Sequence, residues 1–162
     1  MTRSDWPRVV LCWVIGLNEL LGGAIGLYVS LPEYLRVARF IPVVNQGFIL
    51  LGIVLFAVAI IAGLLLMDGR PQGWNLSLWV QGLQILSIQT SVLLYELVLG
   101  CYLRLSTEAT HLGALNLSFG GGFNAAVTIG PAQNVESFVV SLNLLAILAF
   151  AVLVWLRPRR PV

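Results

Sequence analysis

The sequence predicts an all-α membrane protein: a four-transmembrane-helix bundle with a short interfacial helix and a small β-hairpin in its last outer loop. Composition and patterning predict it together. Of 162 residues, 59% are hydrophobic and 10% charged, and the mean hydropathy is +0.93. The apolar residues gather into four runs, about 9–30, 47–67, 76–103 and 137–156. A helix needs about 20 mostly apolar residues to cross a bilayer, rising 1.5 Å per residue, so each run is long enough. Little sequence remains for a separate soluble domain, and 1–162 reads as one integral membrane domain.

The first run carries Asn18 and Glu19 inside it, which reads as a span rather than a cleaved leader. Residues 31–40 follow, with Pro32 suited to a first helical turn and Glu33, Arg36 and Arg39 on one side. This is the expected interfacial helix. The second run ends at Asp68-Gly-Arg-Pro-Gln-Gly73, a polar turn that makes spans two and three an antiparallel pair. In the connection 104–136, Leu115, Leu117 and Phe119 alternate with polar residues before Gly120–Gly122. Period-two alternation around glycines is the pattern of a small hairpin, with an irregular loop packed over the helix ends as the alternative; in either form 112–130 is expected to be ordered over the outer mouth of the bundle as a lid or docking surface. The fourth run closes the bundle.

Arginine placement orients the chain, because cytoplasmic loops are rich in basic residues. All nine basic residues are Arg. Arg3, Arg8, Arg70, Arg157, Arg159 and Arg160 fall on one side, and Arg36, Arg39 and Arg104 on the other. Trp74, Trp79 and Trp155 suit interfacial anchors on the first side. These observations predict a bacterial inner-membrane protein with both termini cytoplasmic. Cys12 and Cys101 fall at opposite ends of their spans, too far apart for a disulfide.

Polar residues inside the spans are the candidate binding or coupling set: Asn18, Glu19, Gln84, Gln89, Glu96 and Asn143. An intramembrane carboxylate is costly and marks a functional position by default. Glu19 must be protonated, face water, or accept hydrogen bonds from amides and hydroxyls. Depth counting sets Gln84 and Ser87 level with Glu19, and Gln89 level with Asn143. Glu96 falls at the outer boundary, within reach of Arg104 or Arg36. Gly22 and Gly26 in the first run, and Gly52 and Gly63 in the second, are candidate helix-packing positions, since small residues let backbones approach.

The chemistry these residues exclude is also informative. A single His111 rules out bis-histidine haem, and no cluster has metal-ligand spacing. No catalytic set is evident, and no cofactor is implied. A net charge of +2 gives no reason to expect nucleic acid. The expected partners are membrane lipids, a second copy or another membrane protein. The sequence therefore points to a non-enzymatic protein acting through helix packing. A small proton- or cation-coupled transporter or channel subunit centred on Glu19, and a membrane enzyme acting on a lipid or lipoprotein, are the alternatives.

Overall fold

The computed structural model of the chain describes residues 6–109, 115–131 and 138–156. Arg3, His111, and the tail arginines Arg157, Arg159 and Arg160 lie outside them. The order is α1 (Trp6–Val37), α2 (Val43–Met67), α3 (Pro71–Ile85), β1 (Leu86–Gln89), β2 (Leu93–Ala109), β3 (Leu115–Pro131), β4 (Phe138–Asn143) and α4 (Leu144–Leu156).

Helices α1 and α2 are each long and apolar enough to cross a membrane. At 1.5 Å per residue, α1 is about 48 Å long and α2 about 37 Å. They lie antiparallel, and glycines set how closely. A Cβ on Gly16 would stand 2.7 Å from the Gly63 carbonyl oxygen, and one on Gly63 would meet the Gly16 carbonyl. Gly26 lies against the Phe56 ring. Helix α1 continues unbroken through Pro32 to Val37, so no separate interfacial helix begins at residue 31. The missing Pro32 amide removes one hydrogen bond, and the helix tolerates it there.

A four-helix bundle does not form. The third apolar run is helical only to Ile85 and then becomes β1 and most of β2; the fourth begins as β4 and turns helical at Leu144. Helices α3 and α4 are therefore about 22 and 20 Å long. Local pattern explains the switch. In 93–109 the odd positions include Tyr95, Leu97, Leu99, Cys101, Leu103 and Leu105, while Glu96, Arg104, Ser106 and Glu108 are even. Leu86 and Ile88 alternate with Ser87 and Gln89, and Val140 and Leu142 with Ser141 and Asn143. That period is two, the strand period, and a helix would scatter these polar groups around its surface.

The sheet order is β1-β4-β2-β3, with β1 also pairing β2. That extra pairing closes the sheet on itself. Strand β1 pairs antiparallel with β4 and with Leu94–Tyr95 of β2, while β4 pairs antiparallel with Arg104–Ala109 of β2. The two ends of β2 therefore run in opposite senses relative to β1, and β2 must bend back on itself between them. Gly100, at φ +87°, sits in that bend. Strand β3 follows β2 along its full length, from Leu93↔Pro131 to Ala109↔Leu115.

The expected hairpin turn is displaced accordingly. The hairpin is β2–β3, and Gly120–Gly122 lie inside β3 opposite Arg104–Tyr102. A Cβ on Gly121 would stand 3.1 Å from a Leu103 methyl. Glycines within a strand mark a tight bend or close backbone approach, and here β3 follows the curl of β2. Residues 115–131 are thus a fully paired strand rather than a lid over helix ends.

Two apolar clusters join helices to sheet. Phe56, Ala59, Ala62, Val80, Leu97 and Leu99 pack where α2, α3 and β2 meet. Cys12, Ile15, Leu66, Trp74 and Leu153 fill the opposite end. Trp74 is 3% exposed, with the Arg8 guanidinium over its ring, so it is a core residue and not an interfacial anchor. Trp79 and Trp155 are exposed.

Candidate functional site

Three polar arrangements occupy this fold. The first surrounds Glu19, which is fully buried on the inner face of α1. Ser77 Oγ donates to Glu19 Oε2 at 2.7 Å, and Gln81 Nε2 donates to Oε1 at 2.9 Å. Both donors stand on α3, one turn apart, and both are buried. Of the options open to this carboxyl, hydrogen bonds from a hydroxyl and an amide are present, and its side chain is closed off from the surface. Gln84 and Ser87, expected level with it, do not reach it: Gln84 lies one turn beyond Gln81 on α3, and Ser87 belongs to β1.

The second arrangement serves the free edge of β2. Between its pairings with β1 and β4, residues 96–103 have no strand neighbour on that edge. An open strand edge is untenable in an apolar interior, and side chains fill it. Gln84 Oε1 accepts from Leu99 N at 2.9 Å. Asn18 donates to the Leu99 carbonyl at 3.2 Å and accepts from Cys101 N at 2.7 Å. Asn143 Oδ1 accepts from Leu103 N at 3.3 Å and also from Ala146 N, which caps α4. Residues 99, 101 and 103 share one edge by strand periodicity. Asn18, Gln84 and Asn143 thus stand in for a missing strand. Gln89 and Asn143 do not meet, because β1 register sets Gln89 opposite Val139.

The third arrangement is a pocket. Pairing aligns Ser87 with Ser141, Ser141 with Ser106, and Ser106 with Ser118. One serine from each of the four strands therefore stands in a single row across the sheet. All four line a cavity of 170 Å³ enclosed by the curl. Ser141 is buried, Ser87 and Ser106 on either side of it are half-buried, and Ser118 at the β3 end is exposed. Among the described residues no side-chain hydrogen bond or ion pair engages these hydroxyls.

Charged groups flank the row. Glu96 and Arg104 come from the two opposed limbs of β2 and form an ion pair across the bend. Glu108 stands two residues beyond Ser106 on the same face, and Gln89 lines the wall from β1. Two of the six candidate binding residues, Gln89 and Glu96, are therefore in this pocket. Ser106, Ser118, Ser141 and Glu108 were not singled out from sequence, whereas Arg104 was expected as a partner for Glu96. The signal for Ser106 and Glu108 was the even-position polarity of 93–109, which overall hydropathy conceals.

Gly22, Gly26, Gly52 and Gly63 all face inward. Gly26 and Gly63 join α1 to α2, Gly22 abuts the Leu99–Gly100 backbone, and Gly52 faces Val127 of β3. A wider apolar cleft of 490 Å³ lies between α1 and α4, walled by residues such as Val14, Leu17, Leu148 and Val152. Both cysteines are free, Cys12 in the core and Cys101 at that cleft. Among the described residues, no group of three or more His, Cys, Asp or Glu is placed to hold a metal. Compared with known proteins, the chain matches no family model, no curated protein and no solved structure.

Proposed function

We propose that this is a non-enzymatic integral membrane protein that receives a small polar ligand in the serine-lined pocket of its curled sheet. The serine row carries the reading. Four hydroxyls stand in register on one face of a fold otherwise rich in leucine and valine, and enclosing the buried Ser141 costs free energy because a polar group loses water there. Binding repays that cost. The inward-facing glycines are already used within the chain, so they offer no face for self-assembly. Glu19 is enclosed by its own hydrogen bonds, so a proton path through it has no supporting cavity.

Membrane placement rests on α1 and α2 and on the outer surface. Trp13, Val14, Val29, Leu117, Phe119, Leu148 and Val154 are all more than half exposed. So continuous an apolar exterior marks contact with lipid or another apolar partner. The cleft between α1 and α4 opens into that exterior, where acyl chains would fill it. The basic residues orient the protein in a bacterial inner membrane with both termini cytoplasmic. Reporters inserted in the 38–42 loop and fused at 162 should then report opposite sides; the same side for both would reject this topology.

Cysteine accessibility tests the pocket. In a full-length background with Cys12→Ser and Cys101→Ser, Ser106→Cys should react with a small charged methanethiosulfonate in intact membranes. Ser77→Cys, beside Glu19, should react at least about tenfold more slowly, as expected for a wholly buried thiol. Equal rates in membranes, with both sites reactive in dodecyl sulfate, would remove the pocket as a ligand site.

A further inference from the structure

We infer that the ligand of this pocket is a compact monovalent cation, a primary ammonium group or a sodium-sized ion, held by the Glu108 carboxylate and the neighbouring serine oxygens. The inference rests on the binding reading above and names its ligand class.

Charge bookkeeping within the cavity leads to it. Among the described residues, three side chains charged at neutral pH line the wall: Glu96, Arg104 and Glu108. Glu96 and Arg104 are committed to each other, with side-chain exposures of 29% and 24%. Glu108 meets no cation among the described residues. The described lining therefore carries one uncompensated negative charge. An anion would face two carboxylates and an arginine already engaged. A neutral polyol would leave the Glu108 charge without a partner in a confined space. A cation completes the pair.

The geometry around Glu108 suits that ligand. Ser106 lies two residues away on the same strand face, and its cross-strand neighbours Ser141 and Ser118 extend the row on either side. Each hydroxyl accepts as well as donates, and Gln89 adds an amide oxygen. Adjacent strands are about 4.8 Å apart, so neighbouring serine oxygens can converge on one small group. A divalent ion is disfavoured. Calcium takes six to eight oxygens and gains affinity with the number of carboxylates, whereas one spare carboxylate is present. The 170 Å³ cavity is the volume of about five or six waters at roughly 30 Å³ each. That space admits a small amine or a partly hydrated ion.

The experiment is thermal unfolding of the full-length protein in detergent, followed by tryptophan fluorescence, with chloride salts at fixed ionic strength. Methylammonium or sodium should raise the melting temperature by about 3 °C or more, with saturation. Tetraethylammonium has the same charge but no N–H donor and greater bulk, and should give no saturating rise. Glu108→Gln should abolish the effect, while Glu33→Gln, an exposed carboxylate on α1, should keep it. Ser118→Ala should raise the half-effect concentration at least about threefold, by loss of one oxygen contact. Whichever of methylammonium and sodium acts at lower concentration identifies the ligand's chemical source. An equal rise in tetraethylammonium, no rise in any salt, or a rise that survives Glu108→Gln would overturn the assignment. If Ser106→Cys labels as expected but no cation stabilises, the cation inference alone fails. If Ser106→Cys does not label, the binding reading fails first.

Discussion

Gly100→Ala should destabilise the protein by about 3–5 kcal/mol, far more than the same change at Gly69. Both glycines have positive φ, +72° at Gly69 and +87° at Gly100. A side chain in that region costs about 1–2 kcal/mol by itself. At Gly69 nothing lies within 4 Å of the added Cβ, so the conformational term is the whole cost. At Gly100 the new methyl would stand 2.7 Å from Asn18 Cγ and 2.8 Å from the Asn18 carbonyl oxygen. Asn18 would have to leave, stranding the Leu99 carbonyl and the Cys101 amide it serves. Leu99 is buried, and a buried backbone group without a partner costs about 1–3 kcal/mol, while the more exposed Cys101 amide adds less. Unfolding by denaturing detergent, followed through the buried Trp74, would compare the two variants. Equal losses would mean that the Asn18 clamp contributes nothing and that the β2 edge is satisfied in some other way.

The same bend explains which parts of the fold were legible in the sequence. Helices α1 and α2 were readable because each is a long apolar run bounded by turn residues, and length alone separates such a run from a strand. Runs three and four failed the same test. Residues 76–103 and 137–156 are apolar enough to span, yet in each a helix and a strand share the run. Mean hydropathy averages over both, while the change of period from 3.6 to two at Leu86, and from two to 3.6 at Asn143, is only a few residues deep. Alternation was recognised at 115–119, where polar partners are obvious, and overlooked at 95–108, where Leu and Val intervene.

Of the candidate residues, Glu19, Asn18, Gln84 and Asn143 were visible as polar atoms in apolar runs, and the structure gives each a hydrogen-bond partner on another element. Their partners were not visible. Three of them bond to backbone atoms of a strand that the sequence read as a helix, and a helix would have left those atoms already paired. The serine row was least legible of all. It exists only through the register of four strands, and Ser87, Ser106, Ser118 and Ser141 have no common spacing along the chain.

Glu19→Leu should cost about 2–4 kcal/mol, while Glu19→Gln should stay within about 1 kcal/mol of the parent. Leucine removes the acceptor of two enclosed donors, Ser77 and Gln81, which are 0% and 3% exposed. Hydrogen bonds between membrane helices contribute only about 0.6 kcal/mol on average, because the unfolded chain finds other partners. A donor left unpaired inside the folded protein lacks that relief and costs about 1–3 kcal/mol. Glutamine keeps an acceptor oxygen for Gln81 and offers an amide to the Ser77 oxygen, which can reverse its role. The triple change Glu19→Leu, Ser77→Ala, Gln81→Leu should recover much of the loss, since replacing all partners by apolar groups leaves nothing unsatisfied. Strong positive coupling in that cycle, measured by unfolding of the full-length variants, would establish the cluster as a tie between α1 and α3. Should Glu19→Gln prove as costly as Glu19→Leu, the carboxyl must be held as an anion. The two hydrogen bonds from Ser77 and Gln81 would then not account for its burial.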